Sequence, residues 1–430
     1  MNRTFISFAV TDINQTKFKM LSWINRFSIF CFLDNHNYQL AHHEHELLVA
    51  AGSINSVEAA AGKAFEALKI FYNQNNKDWL FGHFNYDLKN EIEEVESSHT
   101  DNIQFSDLFF FVPEIIVELK NGYINIGSLK NDHQSIFDEI INANISENKK
   151  DENKIHIQSK FSETEYIETI NRLRKHIVRG DCYEINFCQE FFSENTLINP
   201  LEIYIELSKT SPTPFASFYR INEKYLMCAS PERYLCKEKN KLISQPIKGT
   251  SPRNINNKNE DDKNVNSLYN SKKDRSENVM VVDLVRNDLS KVCKEGSVVV
   301  DELFGIYTFP QVHQMISSVS GELLPGVHFI DIIKATFPMA SMTGAPKKRV
   351  MELIDQYEKS RRGLFSGAVG YINPSGDFDF NVVIRSILYN GINKYLSYQV
   401  GSAITFYSDA KNEFEECLLK ASAIKKVLAG

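Results

Sequence analysis

Residues 364–406, LFSGAVGYINPSGDFDFNVVIRSILYNGINKYLSYQVGSAITF, contain three strand-like runs in succession. The runs 364–372, 378–389 and 395–406 are rich in β-branched and aromatic residues, and short segments containing Gly, Pro and Asn separate them. Strands joined by connections this short pair in the antiparallel direction. The stretch therefore predicts a three-stranded meander.

Helix signals lie on both sides of this meander. Ser162 and Glu165 form a capping-box pattern, apolar residues then recur at helical spacing, and Gly180 marks the helix end. A strand follows, on which Tyr183, Ile185, Phe187 and Phe191 share one face, with Glu184, Asn186 and Glu190 on the other. A last helix begins at Ser408 or Asp409. We therefore expect helices to flank the sheet.

Composition limits the classes of function. The chain has 430 residues, 43% of them hydrophobic and 24% charged, with a net charge of -7. This balance is typical of a globular protein, and the absence of a basic stripe argues against nucleic acid as a partner. The seven cysteines include no C-x-x-C pair, which is typical of reduced thiols, and no apolar run is long enough to span a membrane. We expect a cytoplasmic protein that is not bound to a membrane.

Two polar segments interrupt the pattern. Residues 142–154 have almost nothing to bury, so we place a boundary there, between an N-terminal region (1–150) that contributes strands and helices to the same fold and a catalytic domain (151–430). Residues 253–266 form a second polar, low-complexity segment directly after Lys248. We interpret this second segment as a loop, and favour a mobile flap.

A single lysine is held between two conformationally special residues in 245–250, QPIKGT. Pro246 fixes its own backbone angle, and Gly249 lets the chain turn or pass close to another group immediately after Lys248. Taken alone, the stretch is more typical of a surface turn with a solvated lysine. Its interpretation depends on the motifs that follow.

Two pairs of acids have the spacing of neighbours on one helix face. Asp274 and Glu277 are three residues apart, and so are Glu413 and Glu416. If the pairs face each other, they form an all-oxygen site that suits Mg2+. The alternative for either pair is a solvated helix face.

The order of these motifs resembles one known family. Over roughly residues 160–428, the chain resembles the chorismate-utilising enzymes. The motifs that carry the resemblance are Ser230-Pro231-Glu232-Arg233, the Lys248 stretch, the acid pairs, 281–289 (VVDLVRNDL) and 337–347 (FPMASMTGAPK). That family includes the first components of anthranilate synthase and aminodeoxychorismate synthase, and the isochorismate and salicylate synthases. The resemblance implies an α/β (α+β) fold of two packed antiparallel β-sheets flanked by helices.

The resemblance also implies roles for individual residues. Glu277 and Glu416 would bind Mg2+ directly, and Asp274 and Glu413 through water. Glu232 would be the general acid, with a raised pKa. The residues implied near the substrate are Tyr371, Arg385, the backbone around Gly401 and Ala403, Lys420, Ser341 and, as a catalytic group near the ring, His313.

Lys248 then distinguishes members of the family. Anthranilate synthases carry alanine at this position, whereas aminodeoxychorismate synthases carry lysine, whose amine adds to the ring before ammonia replaces it. The resemblance therefore implies amination of chorismate to 4-amino-4-deoxychorismate, on the route to para-aminobenzoate and folate. No glutaminase motif is visible, so ammonia would come from a separate glutamine amidotransferase subunit. The alternatives are anthranilate synthase component I, an isochorismate or salicylate synthase, and a catalytically silent chorismate- or metal-binding protein.

Overall fold

The computed structural model describes residues 3–38, 42, 45–144 and 155–429. Most of the predicted polar connection at 142–154 lies outside the described residues, and the boundary at 150/151 stays a prediction. No helix in the described ranges is long and apolar enough to cross a membrane. All seven cysteines are described; each is buried and none forms a disulfide.

The strands of the described residues are, in chain order, β1 (Thr4–Ala9), β2 (Ile29–Asp34), β3 (Leu47–Ala51), β4 (Asn55–Ala59), β5 (Leu80–Phe84), β6 (Leu108–Val112), β7 (Ile115–Lys120), β8 (Tyr123–Ser128), β9 (Gln158–Ser159), β10 (Glu184–Ser193), β11 (Phe215–Ile221), β12 (Lys224–Ser230), β13 (Arg233–Glu238), β14 (Lys241–Gln245), β15 (Ile247–Pro252), β16 (Val299–Thr308), β17 (Val312–Glu322), β18 (Gly344–Ala345), β19 (Ala368–Ile372), β20 (Phe378–Asn381), β21 (Ser386–Asn390) and β22 (Tyr395–Ile404).

The α-helices are α1 (Ile13–Ile24), α2 (Ala64–Asn75), α3 (Lys89–Glu93), α4 (His133–Ile141), α5 (Glu163–Arg179), α6 (Pro200–Thr210), α7 (Lys258–Asn270), α8 (Lys272–Ser290), α9 (Phe329–Thr336), α10 (Lys347–Tyr357), α11 (Ala410–Lys420) and α12 (Ser422–Ala429). The predicted ends of α5 are confirmed: Ser162 and Glu165 form a reciprocal capping box, and Gly180 closes the helix in the left-handed conformation. Asp409 caps α11, as one of the two predicted starts.

The strands form two antiparallel sheets, so the predicted fold class is confirmed. The larger sheet has the order β1-β8-β7-β3-β2-β11-β12-β21-β22-β10-β18, with β9 beside β10. The smaller sheet has the order β15-β17-β14-β13-β20-β19-β5-β6-β4, with β16 beside β17. Strands from the first 128 residues occur in both sheets, so this part of the chain forms the same two sheets as the rest.

The inner strands of the larger sheet are buried on both faces. Successive side chains of β2 point to opposite faces of the sheet. Phe30 and Phe32 pack in an apolar cluster that also contains residues of α1, α4, α5 and α6. Cys31 packs on the other face, in a second cluster that also contains residues of the smaller sheet. The same alternation on β10 sends Ile185 and Phe187 toward the helices. It therefore turns the polar face of β10 toward the smaller sheet, where the candidate site lies.

The predicted meander is wrong in one respect. The run 378–389 is two strands, β20 and β21, and they belong to different sheets. The chain crosses between the sheets at 382–385, and Arg385 has the left-handed conformation with φ of 50°. Strand-like composition alone could not reveal this, because β-branched residues at 382–384 suit a buried crossing as well as a strand.

The loop predicted at 253–266 is also corrected, because residues 258–270 form α7. The side chain of Asn257 accepts a hydrogen bond from the backbone N–H of Glu260, and Glu260 and Asp261 place negative charge in the first turn. Both features stabilise a helix start. Among the residues of α7 only Leu268 is buried, which explains why no apolar periodicity indicated a helix there.

Candidate active site

A cavity of about 720 Å³, which includes open space at its mouth, lies where β15 and α8 meet β22 and α11. This size suits a small-molecule ligand. The cavity brings together residues that are far apart in the sequence and that the sequence analysis had singled out: Glu232, Lys248, Glu277, Ser341, Arg385, Gly401, Ala403, Glu416 and Lys420.

Lys248 enters the cavity at a β-bulge. Ile247 on β15 opposes Ile316 on β17, but Thr250 opposes Gln314, so two residues of β15 stand against one of β17. A bulge of this kind redirects a side chain. Gly249 has a φ of 91°, and a Cβ there would lie 3.0 Å from the side chain of Asp274. The lysine is therefore presented by backbone that glycine allows, as the sequence predicted, but it is buried and not solvated.

The partner of Lys248 is Glu184, a residue that the sequence analysis did not assign to the site. Lys248 Nζ donates to Glu184 Oε1 at 2.6 Å, and the two residues are 7% and 1% exposed. Glu184 lies on the polar face of β10, whose alternation was predicted. Glu184 could have been identified from its position, because an acidic residue on a strand that is buried on both faces needs a partner for its charge.

Glu232 lies between β12 and β13, directly after Pro231. The side chain is 3% exposed. Burial raises the pKa of Glu232 to about 7, against the opposing effect of the Lys248 ammonium. A carboxyl group with this pKa is protonated often enough near neutral pH to act as a proton donor.

Two further cationic side chains, Arg385 and Lys420, line the cavity. Arg385 projects from the crossing between the sheets, and burial lowers the pKa of Arg385 to about 10, with Glu232 opposing the shift. Lys420 Nζ donates to the backbone oxygen of Gly401 at 3.1 Å. A Cβ on Gly401 would lie 2.4 Å from the Phe187 oxygen, so a side chain is excluded and the backbone itself forms the wall. These groups can bind a carboxylate.

The acid pairs on α8 and α11 face each other, with Lys273 between them. Lys273 Nζ lies 2.7 Å from Glu413 Oε1, 3.5 Å from Glu416 Oε2 and 3.8 Å from Glu277 Oε1. Within the described residues, no three Asp, Glu, His or Cys side chains converge as ligands of one metal ion. The ammonium of Lys273 thus takes the central place of a cation among the carboxylates.

Two observations nevertheless fit a metal ion at this position. Glu277 and Glu413 are 5% and 1% exposed, and one oxygen of each has no hydrogen-bond partner in the described residues. Burial raises the pKa of Glu277 to about 8, whereas the Lys420 ammonium lowers the pKa of Glu416 to about 2. Oxygen atoms that are buried and unpaired are suited to a hard divalent cation. Asp274 lies behind Gly249, and burial raises its pKa.

Tyr371 lies outside this cavity, so its expected contact with the substrate stays a prediction. It belongs to β19 and lines a separate cavity with Asp34 and Asp379. Its ring centroid lies 5.6 Å from that of Trp79. Because the chain crosses between the sheets after β20, Tyr371 and Arg385 lie in different cavities.

His313 is also outside the cavity. Its Nε2 lies 2.9 Å from Asp261 Oδ1 on α7, and its Nδ1 lies 2.9 Å from Thr308 Oγ1. The next residue, Gln314, lines the cavity instead, because successive side chains of β17 point to opposite faces. Gln314 is 2% exposed, and its Oε1 has no hydrogen-bond partner in the described part of the chain. Neither Gln314 nor Lys273 was predicted from the sequence.

The fold and this cavity define a class of protein: an enzyme built on two packed antiparallel sheets, with a lysine, acids and cations converging between them. Among solved structures, anthranilate synthase component I of Streptococcus pneumoniae superposes with a TM-score of 0.77 at 23% identity, over 90% of this chain and 95% of that one. The menaquinone-specific isochorismate synthase of Escherichia coli superposes with a TM-score of 0.76 at 16% identity, over 100% and 95%.

The chain belongs to the chorismate binding enzyme family, which matches residues 30–426. It is 35% identical to aminodeoxychorismate synthase component 1 of Escherichia coli over 271 residues, which are 63% of this chain and 59% of that protein. The matched part thus spans less than two thirds of that relative. It is also 30% identical to the Bacillus subtilis protein of the same name, over 85% of this chain and 80% of that one. The resemblance seen in the sequence is therefore confirmed.

Proposed function

We propose that this chain aminates chorismate at C4 to give 4-amino-4-deoxychorismate, as the large component of an aminodeoxychorismate synthase. The observation that carries the proposal is the buried Lys248 side chain that lines the cavity. The names of the Escherichia coli and Bacillus subtilis relatives support it. The product would serve the synthesis of para-aminobenzoate and folate.

In the first proposed step, the neutral amine of Lys248 forms a bond to C2 of the ring. The electron pair of C1=C2 moves to C1–C6, the pair of C5=C6 moves to C4–C5, and the C4–O bond breaks. Glu232 gives its proton to the departing hydroxyl, which leaves as water. Its raised pKa of about 7 suits this role, because the acid form must be present when the bond breaks.

In the second proposed step, ammonia forms a bond to C4, the electron pairs return to C5=C6 and C1=C2, and the bond from C2 to Lys248 breaks. The lysine leaves as the neutral amine, and the proton excess on the new amino group restores the acid form of Glu232. Two displacements retain the configuration at C4. Because the lysine forms a bond to the substrate and is later released, the reaction is an example of covalent catalysis.

Chorismate carries two carboxylates, and the cavity offers a different kind of partner for each. Arg385 and Lys420 would bind the enolpyruvyl carboxylate, beside the backbone at Gly401 and Ala403. Glu277 and Glu416, with Asp274 and Glu413 behind them, would hold Mg2+. When bound, Mg2+ would neutralise the ring carboxylate and withdraw electrons from the ring. Ser341 lines the same cavity and would contact the ring.

Ammonia would be supplied by a separate glutamine amidotransferase subunit, in the cytoplasm. The term component 1 in the names of the relatives supports a multi-subunit enzyme. The buried, unpaired cysteines support a reducing compartment. Ammonium salts should sustain the reaction of this chain alone, whereas glutamine should do so only when the partner subunit is added.

The test is to incubate the purified chain with chorismate, Mg2+ and ammonium, and to identify the product by mass. Conversion by an added aminodeoxychorismate lyase provides a second readout. Para-aminobenzoate that forms only with the lyase supports amination at C4. Anthranilate without the lyase would indicate an anthranilate synthase, and a product of unchanged mass without ammonium would indicate an isochorismate synthase. Either result would overturn the proposal.

A further inference from the structure

Lys248, which lines the cavity, forms an ion pair with Glu184 that joins the two sheets. Glu184 comes from β10 of the larger sheet and Lys248 from β15 of the smaller sheet. Their side chains are 1% and 8% exposed, and Nζ lies 2.6 Å from Oε1. The second carboxylate oxygen, Oε2, is buried and has no hydrogen-bond partner among the described residues. Glu184 therefore contacts the reactive amine and keeps one oxygen unused.

This arrangement is a poor way to stabilise a fold. Desolvation of two charges offsets much of their attraction, and an unpaired carboxylate oxygen adds a further penalty. The same burial brings the charged pair, ammonium with carboxylate, closer in free energy to the neutral pair, amine with carboxylic acid, because both charges are desolvated at once. A proton can therefore pass between the two side chains without entering solvent.

We propose that Glu184 is the proton acceptor that converts Lys248 to its nucleophilic amine, and that it returns the proton after the lysine is released. The inference rests on the proposed function, since it assigns a further residue to the same covalent chemistry.

The proton balance is complete with the groups present. Glu184 takes a proton from the Lys248 ammonium and becomes a carboxylic acid, and the amine forms its bond to C2. Water leaves with the proton of Glu232. When ammonia has replaced the lysine, Glu184 returns its proton to the released amine, and the pair is again ammonium and carboxylate.

The other charged groups around Lys248 are occupied differently. Glu232, between β12 and β13, serves as the proton donor in the proposed reaction. Glu277 on α8 and Glu416 on α11 contact Lys273, and Lys420 pairs with Glu416. Arg385 lies at the crossing between the sheets. Among the described residues, Glu184 is the carboxylate that lies within ion-pairing distance of Lys248 Nζ.

The test is Glu184→Gln, which preserves shape and removes the basic oxygen. We expect kcat with ammonium at pH 7.5 to fall about 100-fold, while KM for chorismate stays within about threefold. The ratio of the variant's kcat to that of the wild type at the same pH should rise as the pH increases toward 9.5, because hydroxide and solvent can then remove the proton. The loss of the Glu232 acid form and the rise in free ammonia affect both proteins alike, so both cancel in this ratio. Glu184→Asp should restore part of kcat and the wild-type shape of the profile.

The matched control is Glu190→Gln. Glu190 lies on the same face of β10 and is buried, but it accepts hydrogen bonds from Ser360 and Tyr395 and does not contact Lys248. Its substitution can weaken the fold but should leave the shape of the pH profile unchanged. A ratio to the wild type that stays constant with pH in Glu184→Gln, or that rises with pH in both variants, would overturn the specific role of Glu184.

A second measurement separates this inference from the proposed function. Without ammonia, the wild type should accumulate a covalent adduct on Lys248 with the mass of chorismate less one water, and Glu184→Gln should form it more slowly at pH 7.5. If the wild type forms the adduct and Glu184→Gln forms it equally fast, the role of Glu184 is overturned and the proposed function stands. If the wild type yields neither adduct nor aminated product, the proposed function itself is overturned, and with it this inference.

Discussion

Lys273 on α8 donates a hydrogen bond from Nζ to Glu413 Oε1 on α11, at 2.7 Å, and so joins the two helices that carry the acid pairs. Burial acts to lower the pKa of Lys273, but the carboxylates of Glu277, Glu416 and Glu413 outweigh it and raise the pKa. The ammonium is therefore a stable internal counterion for this cluster. A divalent cation that binds the same carboxylates must displace it.

The first prediction concerns this displacement. Lys273→Met should lower the melting temperature in chelator, because it leaves buried carboxylates without a counterion, at a cost of about 1–3 kcal/mol. Added Mg2+ should then raise the melting temperature of the variant more than that of the wild type, because the cation no longer competes with an ammonium. Thermal unfolding with and without Mg2+ measures both effects, and Lys272→Met, at an exposed position of the same helix, is the control. Equal stabilisation of both proteins by Mg2+ would show that Lys273 does not occupy the cation position.

The second prediction concerns removal of the metal. If Glu277 and Glu416 hold Mg2+, chelator should abolish amination with ammonium, and excess Mg2+ should restore it, because the ring carboxylate would otherwise face these carboxylates directly. Isothermal titration should show binding of Mg2+ that Glu277→Gln weakens by about tenfold or more. Full activity in chelator would remove the argument for a metal in this cavity.

The third prediction is a pH dependence that arises from Glu232. Its pKa is raised to about 7 by burial, so the acid form needed to protonate the departing hydroxyl is present below that pH and is lost above it. We expect kcat/KM to fall with rising pH above about 7, and Glu232→Gln to lower kcat by about 10²- to 10⁴-fold and abolish that descending limb. A descending limb that persists in Glu232→Gln would assign the titration to another group.

Local signals predicted the capped ends of α5 and the start of α11, because caps and alternation act through neighbours in sequence. The family resemblance implied the two-sheet fold class, and it brought Lys248, Glu232 and the acid pairs into one hypothesis. The crossing at 382–385 was missed because sheet membership depends on contacts between distant residues. The helix α7 was missed because helix stability here comes from capping and not from an apolar stripe.

Three residues at or near the cavity show what the sequence alone could not predict. His313 and Gln314 are adjacent, so their assignment to opposite faces of β17 depends on the register of one strand, which the sequence pattern left open. Glu184 could be recognised as a partner of Lys248 only once β10 and β15 were known to meet, since the two residues are 64 positions apart.

The fourth prediction contrasts Arg385 with Tyr371. Arg385→Met should raise KM for chorismate by about 10- to 100-fold, equivalent to about 1.5–3 kcal/mol, because a carboxylate would lose a charged hydrogen-bond donor. Tyr371→Phe should leave KM within about twofold of the wild type, because Tyr371 lines the other cavity. Steady-state kinetics with ammonium measures both. A large increase in KM for Tyr371→Phe would return Tyr371 to the substrate site.

The fifth prediction concerns the energetics of the pair between Lys248 and Glu184. Lys248→Met should abolish amination, and it should also destabilise the fold by about 3–5 kcal/mol, because it leaves a carboxylate buried without its counterion. The double variant Lys248→Met/Glu184→Gln removes both charges, so its free energy of unfolding should lie well above that of Lys248→Met. Urea denaturation at constant pH measures this coupling.

The control for this cycle is a pair of the same chemistry that is less buried. Lys237 and Asp377 lie 2.8 Å apart, with side chains 17% and 18% exposed, and Lys237→Met should cost only about 1 kcal/mol or less because water can solvate the remaining carboxylate. If Lys248→Met were no more destabilising than Lys237→Met, Glu184 would have to be neutral or solvated when unpaired. If the double variant were as unstable as Lys248→Met, the two side chains would not be energetically coupled. Either result would weaken the case that the pair exchanges a proton within the cavity, because that exchange requires both charges to be buried together.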